Sequence, residues 1–330
     1  EGLQGWGECV ASADPSYAYE TTDTSWHVLT DFILPSVVGT EVHSPEDVLD
    51  PVWWIRGHGM AKAAVEMASW DMAARADGVS LSQKIGGVRD RVPVGVSVGI
   101  KDTDEELHDQ VQGFIEDGYA RVKIKVKPGR DIDMLSGLCE RFPDTVFMAD
   151  ANSAYTLADV DILKALDPLD LLMIEQPLRY DDFLHHARLQ EQIDTPVCLD
   201  ESIKTEWDTE LALELKSCQV INIKPGRVGG LSTSCRIHDM MEDAGLAVWC
   251  GGMLESGVGR AHNVALASLP NFTLPGDISA SSRYWHRDIV SPEFTVADGH
   301  MAVPTGHGIG VEIDTDFIES ISTRVATFGP

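Results

Sequence analysis

The sequence predicts an α/β fold: a closed barrel of parallel strands joined by helices, beside an α+β domain built from both chain ends. From about Val92 onward, short β-branched and apolar runs alternate with amphipathic helical stretches, the pattern of repeated βα units. Eight such runs fit a closed barrel better than an open sheet. An open doubly wound sheet more often carries GxGxxG after its first strand, and none follows residues 92–100.

The predicted barrel elements follow one another at nearly regular intervals. The predicted strands are the short apolar runs at 92–100, 119–126, 146–150, 171–175, 197–200, 220–223, 247–251 and 272–274. The stretches between them have the apolar spacing of amphipathic helices, as at 104–117, 156–166, 182–193 and 231–244. These elements place the barrel at residues 92–288.

Residues 1–91 do not follow this alternation. They contain a predicted strand at 3–10, a loop rich in small and aromatic residues at 11–20, and a long helix around 62–76. The chain begins without methionine just ahead of the strand pattern, so we expect further residues of this domain to precede it.

The last part of the chain, 289–330, returns to strand and turn patterns. The predicted strands there are 294–296, 300–303 and 311–313. We expect this segment to join residues 1–91 in one capping domain, whose loop 11–20 closes over the barrel mouth.

The composition excludes several classes of protein. Hydrophobic residues make up 43% of the 330 residues, enough for a large core, but no run of 18 apolar residues suggests a membrane span. A net charge of −28 repels nucleic acid; because the acidic residues are spread along the chain, we interpret it as a solubility feature. Six scattered cysteines without CxxC spacing indicate a reducing cytoplasm.

Three acidic residues end consecutive predicted strands. Asp150, Glu175 and Asp200 are spaced 25 residues apart, about the length of one βα unit, so each falls at the same height on its strand. Any one of them alone is more often the N-cap of the next helix. Together, at the carboxyl ends of barrel strands where active sites assemble, they would repel one another unless a cation lay between them. Hard oxygen ligands of this kind suit Mg²⁺ or Mn²⁺.

Lysines continue the same interval on both sides of the acids. Lys125 precedes Asp150 by 25 residues and Lys224 follows Asp200 by 24. Lys123 shares a strand face with Lys125 because side chains two apart point the same way. Buried lysines need a partner, so we expect both to point into the barrel; the alternative is an outer, helix-facing position, which would put the intervening apolar residues on the polar side.

These residues suggest proton transfer next to a carboxylate. A substrate carboxylate on the metal would have an acidified α-hydrogen, and the cation would stabilise the enolate charge. A lysine near that cation and near Lys123 is expected to have a lowered pKa, as a base requires. Lys125 and Lys224 lie on the second and sixth of eight strands, on opposite sides of the barrel, and so flank the α-carbon.

The chain resembles the enolase superfamily, muconate-cycloisomerase branch, and within it the o-succinylbenzoate synthase/N-acylamino acid racemase family. The resemblance covers essentially the whole chain, in several motifs that occur in order. These are Gly5-Trp6-Gly7-Glu8-Cys9, Lys123-Ile124-Lys125, Asp150-Ala151-Asn152, Ile174-Glu175-Gln176-Pro177, Asp200-Glu201-Ser202, Ile223-Lys224-Pro225-Gly226-Arg227 and Gly251-Gly252-Met253-Leu254-Glu255-Ser256-Gly257.

The resemblance implies a modified TIM barrel of (β/α)7β form with an α+β capping domain, and a lysine base acting with a divalent metal. The implied Mg²⁺ (or Mn²⁺) ligands are Asp150, Glu175 and Asp200. Lys125 would be the general base, and in a dehydration the acid that helps hydroxide leave. Lys224 would be the opposite-face acid/base in racemisation or stabilise the enolate in dehydration. Lys123 would assist the bound carboxylate and tune Lys125.

The resemblance also implies the surroundings of the substrate. The implied pocket residues are Ser97, Asn152, Gly252 and Met253, with loop 11–20 shaping substrate preference. Arg227 is close enough to Lys224 to tune it; its alternative role is a surface salt bridge. The chain departs from the family pattern at Arg130, where we expect tryptophan, and in lacking the opening strands of the capping domain.

We therefore expect a cytoplasmic homo-oligomeric enzyme that acts on a small carboxylate, without nucleic-acid or membrane partners. Its reaction would be o-succinylbenzoate synthesis in the menaquinone pathway, N-acylamino acid racemisation, or both. Muconate cycloisomerisation shares the same lysines and metal ligands and remains an alternative, as does a catalytically silent barrel that only binds a carboxylate. A His/Asp dyad is disfavoured because Lys224 fills its strand position and His238 and His262 fall in helical stretches; sugar-acid dehydration would require basic residues in loop 11–20, which has none.

Overall fold

A computed structural model of the chain describes residues 2–329. A short strand, β1 (Arg91–Pro93), precedes a sheet of seven parallel strands that are hydrogen-bonded in chain order. The strands of this sheet are β2 (Gly95–Val98), β3 (Arg121–Lys125), β4 (Phe147–Asp150), β5 (Ile174–Glu175), β6 (Val197–Leu199), β7 (Val220–Ile223) and β8 (Ala247–Cys250). Seven of the eight predicted strands are therefore confirmed, with the predicted bounds at 220–223 and shorter bounds in the other six.

An eighth extended segment closes the sheet into a barrel. Phe272 forms a parallel bridge to Val248 of β8, and Gly276 forms one to Val94 beside β2. The segment is not a regular strand as predicted, because Pro275 supplies no N–H for a ladder. The (β/α)7β architecture expected from the sequence is confirmed, and its last strand is reduced to isolated bridges.

Helices connect the strands and cover the outside of the barrel. Before it lie α1 (Thr22–Val28), a π-helical turn (Leu29–Ile33), α2 (Leu34–Val37), a 3₁₀ stretch (Pro45–Val52), α3 (Gly59–Asp77) and α4 (Leu81–Ile85). Within it lie α5 (Asp104–Glu116), α6 (Ile132–Arg141), α7 (Val160–Lys164), α8 (Phe183–Gln190), α9 (Glu206–Leu215), α10 (Pro225–Val228), α11 (Leu231–Asp243) and α12 (Gly257–Ala267). Short 3₁₀ turns cover Leu157–Asp159, Asp167–Leu169 and Ser281–Arg283, and α13 (Thr315–Ile321) follows near the end. None of the described helices has both the length and the apolar character that crossing a bilayer requires.

Several helices begin where the sequence supplies a side-chain cap. Thr103, Thr205 and Ser256 accept hydrogen bonds from first-turn N–H groups of α5, α9 and α12, which satisfies donors that a helix leaves unpaired. The long helix α3 ends at Gly78, whose φ of +68° is the left-handed conformation of a C-cap glycine.

The predicted strand at 3–10 is wrong: no strand neighbours this segment among the described residues. The segment instead packs closely against α3. A Cβ at Gly5 would lie 2.0 Å from the Ala68 carbonyl oxygen, and one at Gly7 would lie 1.9 Å from that of Ala64. Its small residues therefore reflect close approach to a helix. The following loop, 11–20, is irregular as expected.

The last part of the chain returns to the start. Strands β9 (Val290–Ser291), β10 (His300–Ala302) and β11 (Glu312–Ile313) pair as β1–β10 and β9–β11, both antiparallel. The predicted strand at 294–296 is not formed, although Phe294 is buried. Asp71 of α3 joins both ends, accepting hydrogen bonds from the backbone of Trp6 and Ile309. A domain division at residues 91 and 288 remains a prediction.

Candidate active site

Two adjoining cavities open at the carboxyl ends of the barrel strands. The inner cavity has a volume of about 310 Å³. The outer cavity, of about 800 Å³, lies between the barrel, loop 11–20 and α3. Tyr17, Lys125 and Asn152 line both. All the predicted catalytic and pocket residues except Glu175 and Arg227 line the inner cavity; its full lining is Tyr17, Ser97, Lys123, Lys125, Asp150, Asn152, Asp200, Lys224, Gly252, Met253, Leu254, Asp277, Ser279 and Tyr284.

Side chains alternate along β3, and this alternation places its two lysines on the inside of the barrel. Val122 and Ile124 belong to the main hydrophobic core between sheet and helices, whereas Lys123 and Lys125 line the inner cavity. Lys123 stands in register with Met148 of β4, which belongs to a separate apolar cluster. Neighbouring residues in register point to one face of a sheet, so this cluster lies inside the barrel with the lysine.

Two of the three predicted carboxylates stand at matching heights. The third, Asp200, lies two residues further along the chain than Cys198, which is the register partner of Glu175. Asp150 pairs in register with Lys125 on one side and with Glu175 on the other, and Asp200 follows directly after β6. All three are at most 1% exposed. The 25-residue spacing has therefore brought the acids to adjacent strand ends, as the length of one βα unit predicts.

Lys123 lies among carboxylates. Its Nζ is 2.6 Å from Asp277 Oδ2, 2.8 Å from Glu175 Oε2 and 3.1 Å from Asp150 Oδ2. Burial lowers the pKa of Lys123, but the three carboxylates outweigh burial and raise it well above its usual value. Lys123 is therefore a permanent ammonium that offsets part of the negative charge of the site.

The two lysines proposed as acid and base have different surroundings. Lys125 Nζ is 2.6 Å from Asp150 Oδ2, also contacts Asn152 Oδ1, and keeps 29% of its side chain exposed. Lys224 is buried, with Nζ 2.8 Å from Asp200 Oδ2. Lys125 extends from β3 and Lys224 from the end of β7, which are the second and sixth strands of the barrel. The two lysines therefore approach the inner cavity from opposite sides.

Lys224 and Asp200 form a buried ion pair. Burial lowers the pKa of Lys224, but Asp200, Tyr17 and Glu175 together raise it above its ordinary value. Conversely, burial raises the pKa of Asp200, while Lys224 and Arg227 bring it down to about 2. The lowered pKa expected of the lysine beside Lys123 remains a prediction.

The carboxylates fit a divalent cation by their chemistry. Burial, followed by the charge of Asp150, raises the pKa of Glu175 to about 8, so the lysines of the chain do not fully compensate the acids around them. Buried carboxylate oxygens beside a cavity are the ligands that Mg²⁺ and similar hard cations prefer. Among residues 2–329, the compact group of three ligand atoms within 4.8 Å of one another is His238, Asp239 and Glu242, and the three predicted carboxylates do not form such a group.

Neither predicted alternative histidine takes part in the cavity. His238 accepts a hydrogen bond from the Asn271 backbone through Nε2 and contacts Asp239 through Nδ1. His262 is fully buried, with Nε2 2.9 Å from the Trp6 carbonyl oxygen. Both histidines lie in helices outside the cavity, as predicted from the sequence.

Arg227 is a buried partner of the site rather than a surface ion pair. Its guanidinium contacts Asp200, and it donates to the carbonyl oxygens of Ile203 at 2.6 Å and Asn222 at 2.5 Å. With 6% of its surface exposed, it contacts Asp200 Oδ1, while Lys224 contacts Asp200 Oδ2. A role of Arg227 in tuning Lys224 remains a prediction.

Two residues of the site were missed by the sequence reading. The Tyr17 hydroxyl lies 3.1 Å from Asp200 Oδ1, accepts from Lys224 Nζ at 3.0 Å and from Arg227 Nη1 at 3.1 Å, and its ring centre is 4.4 Å from Lys224 Nζ. Asp277 joins Lys123 to Arg121 Nη1 at 2.6 Å. Asp277 lies three residues beyond the last predicted strand, whereas each predicted metal ligand was the last residue of its strand, so the same signal did not select it. For Tyr17 the sequence offered only an aromatic-rich loop.

Comparisons with known proteins agree with this geometry. Residues 106–317 match the family model of enolase C-terminal domain-like proteins, and residues 1–86 match the mandelate racemase/muconate lactonizing enzyme N-terminal domain. The o-succinylbenzoate synthase of Geobacillus stearothermophilus is 51% identical over 99% of this chain and 88% of its own. The N-succinylamino acid racemase of an Amycolatopsis species is 47% identical over 99% of this chain and 89% of its own.

A solved structure agrees in fold as well. The crystal structure of an enolase superfamily member from Listeria innocua superposes with a TM-score of 0.93 at 43% identity, covering 97% of this chain and 86% of that one. Muconate cycloisomerases are more distant relatives. Members of this superfamily are metal-dependent enzymes. The chain belongs to the mandelate racemase/muconate lactonizing enzyme family of the enolase superfamily.

Proposed function

We propose that this chain is a metal-dependent enzyme that removes the α-hydrogen of a carboxylate substrate, as an o-succinylbenzoate synthase, an N-succinylamino acid racemase, or both. The observation that carries the proposal is that Lys125 and Lys224 approach one small cavity from opposite sides of the barrel. Three buried carboxylates lie beside them. A protein that only binds a carboxylate needs no such pair. The relatives that share about half of its sequence have these two activities in their names.

Asp150, Glu175 and Asp200 would hold the metal, which we propose is Mg²⁺ or Mn²⁺. When bound, such an ion stabilises the negative charge that develops on the substrate carboxylate as the α-hydrogen leaves. The ammonium of Lys123, 2.8 Å from Glu175, adds a second fixed positive charge on the same side. Because these groups are buried, their electrostatic effect is stronger than it would be in water.

Lys125 serves as the general base. Its neutral Nζ accepts the α-hydrogen, so that the C–H bond breaks and its electron pair is delocalised into the substrate as an enolate. In dehydration, the resulting ammonium returns that proton to the departing hydroxyl group, which leaves as water and yields the aromatic product. Asn152, in contact with the Lys125 amine, positions it for both steps.

Lys224 completes racemisation from the opposite face. Its ammonium donates a proton to the α-carbon, and its neutral form removes one in the reverse direction, so each lysine handles one enantiomer. Dehydration needs no proton from this side, and there the ammonium stabilises the enolate. Asp200 and Tyr17, at 2.8 and 3.0 Å, hold it in place. Four further residues are proposed to line the substrate: Ser97, Asn152, Gly252 and Met253.

The test is whether the α-hydrogen is labile in this enzyme. N-Succinylamino acids of each hand are incubated in D₂O with Mg²⁺ or Mn²⁺; proton NMR follows exchange and circular dichroism follows racemisation. Formation of o-succinylbenzoate from its hydrated precursor is followed by absorbance. We expect exchange from both enantiomers, and its loss from one of them in Lys125→Ala. Binding of these carboxylates without exchange or turnover, in the presence of either metal, would refute the proposal and favour a silent binding protein.

We further propose that the enzyme is cytoplasmic and acts as a homo-oligomer. The six cysteines are unpaired thiols, which supports a reducing compartment. Light scattering during gel filtration determines the mass of the assembly, and a mass of 36.0 kDa would refute the oligomer.

A further inference from the structure

The outer cavity is a continuation of the site where the chemistry is proposed to occur. Lys125 and Asn152 line it as well as the inner cavity. A substrate with its α-carbon at Lys125 therefore has a direct path into a further 800 Å³ of space. Any long substituent on that substrate is expected to extend into this space.

Two cations in the outer cavity lack an anionic partner. Lys62 of α3 and Lys204, just after β6, are half-buried and line this cavity. Among residues 2–329, neither amine has a carboxylate oxygen within 4.0 Å: Lys62 Nζ donates to the Ile55 carbonyl oxygen at 2.5 Å, and Lys204 Nζ lies 5.0 Å from the centre of the Tyr180 ring. In a chain with 53 acidic and 25 basic residues, two such cations at one cavity need a reason.

The acids that line the same cavity are engaged elsewhere. Glu20 accepts hydrogen bonds from the backbone N–H groups of Met60 and Ala61 at 3.0 and 3.1 Å, so it compensates the first turn of α3 rather than Lys62. Glu201 accepts from Asn152 Nδ2 at 2.8 Å. Burial lowers the pKa of Lys62, and the charge of Glu20 offsets this only in part, as expected for an ammonium group that loses water without forming a direct ion pair.

We propose that Lys62 and Lys204 bind the remote carboxylate of an N-succinyl substrate, in an inference that rests on the proposed function. The first carboxylate lies at the metal and Lys123, the α-carbon at Lys125, and the chain between the two carboxylates crosses into the outer cavity. Tyr19, Met60 and Val228 of its wall cover the methylene groups. Lysines act as mobile point charges, so this subsite recognises charge and tolerates different tail lengths.

The test compares two acyl groups on one amino acid. Values of kcat/KM are measured for N-succinyl and N-acetyl forms with the wild type, Lys204→Gln, Lys62→Gln and the double variant. We expect the succinyl/acetyl ratio to fall about 10- to 100-fold in each single variant, since a charge-assisted hydrogen bond of this kind has that worth. Lys164→Gln, an exposed lysine of α7, is the matched control and should keep the ratio.

Binding gives a readout that is independent of turnover. Calorimetry with N-succinylglycine and N-acetylglycine measures the preference for the succinyl group as a ratio of dissociation constants. This measurement separates the proposed subsite from the proposed reaction. If the wild type binds the succinyl form preferentially but exchanges no α-hydrogen, the subsite stands and the proposed reaction fails. If exchange occurs and the ratio is unchanged in both Lys204→Gln and the double variant, the subsite is refuted. Lys204→Gln is decisive because its amine makes no backbone contact that could disturb the fold.

Discussion

Replacing Lys224 with alanine is expected to separate racemisation from α-hydrogen exchange. The change removes the amine that lies 2.8 Å from Asp200 and 3.0 Å from the Tyr17 hydroxyl. It leaves Lys125 in place, because that amine is held by Asp150 and Asn152 on the opposite side of the cavity. One of the two proton-transfer groups is therefore deleted while the other keeps its position.

The expected size of the effect follows from the role of each amine. A positioned acid or base contributes about 10² to 10⁴ in rate, so racemisation, which needs both, should fall by at least this factor. Asp200 still has the Arg227 guanidinium as a partner, so the variant should fold and bind metal. Dehydration loses only an electrostatic contribution and should fall less than racemisation does.

Each enantiomer of an N-succinylamino acid is assayed separately in D₂O by NMR. Lys224→Ala should exchange the α-hydrogen of one enantiomer without inverting it, and Lys125→Ala should exchange only the other. Lys164→Gln, remote from the cavity, should behave as wild type. Racemisation retained in Lys224→Ala, or an equal loss of exchange from both enantiomers, would show that the two lysines do not act on opposite faces.

Three further perturbations test other parts of the structure. Removing the metal with a chelator should abolish α-hydrogen exchange and lower the melting temperature, because the buried carboxylates lose their cation. Adding Mg²⁺ or Mn²⁺ should restore both, and α-hydrogen exchange that persists after dialysis against chelator would contradict a metal role. Asp71→Ala should destabilise the fold by about 2–6 kcal/mol in urea unfolding, since it strands the two backbone N–H groups of Trp6 and Ile309 at about 1–3 kcal/mol per buried donor; an unchanged midpoint would mean that the chain ends are held elsewhere. Burial lowers the pKa of His262 to about 4, so between pH 6.5 and 4 this histidine is protonated in the unfolded chain but not in the folded one. The free energy of unfolding should therefore fall by about 3 kcal/mol as the pH drops from about 6.5 to 4. His262→Gln should flatten this part of the stability profile, and an equally steep fall in the variant would show that His262 is not the cause.

The βα repeat and the positions of the proposed metal ligands could be predicted because both are periodic. Successive units of about 25 residues place Asp150 and Glu175 in register on neighbouring strands, and a two-residue alternation places Lys123 and Lys125 on one face. These relations depend only on local geometry repeated along the chain. They survive without knowledge of how the remaining segments pack.

The errors came from segments whose conformation depends on a distant partner. Residues 3–10 have a strand-like pattern but pack against α3. The predicted strand 272–274 is reduced to a single bridge from Phe272 to Val248. In each case the missing information was which surface the segment meets.

By itself, then, the sequence determined the barrel, the family resemblance and the residues that sit on strand ends. Only the tertiary structure decided that Tyr17 contacts an acid 183 residues away, that Asp277 anchors Lys123, and that Lys62 and Lys204 face one cavity. The physical reason is that strand periodicity is encoded in consecutive residues, whereas a site lined by a loop, a helix and several strands is created only when these elements pack together.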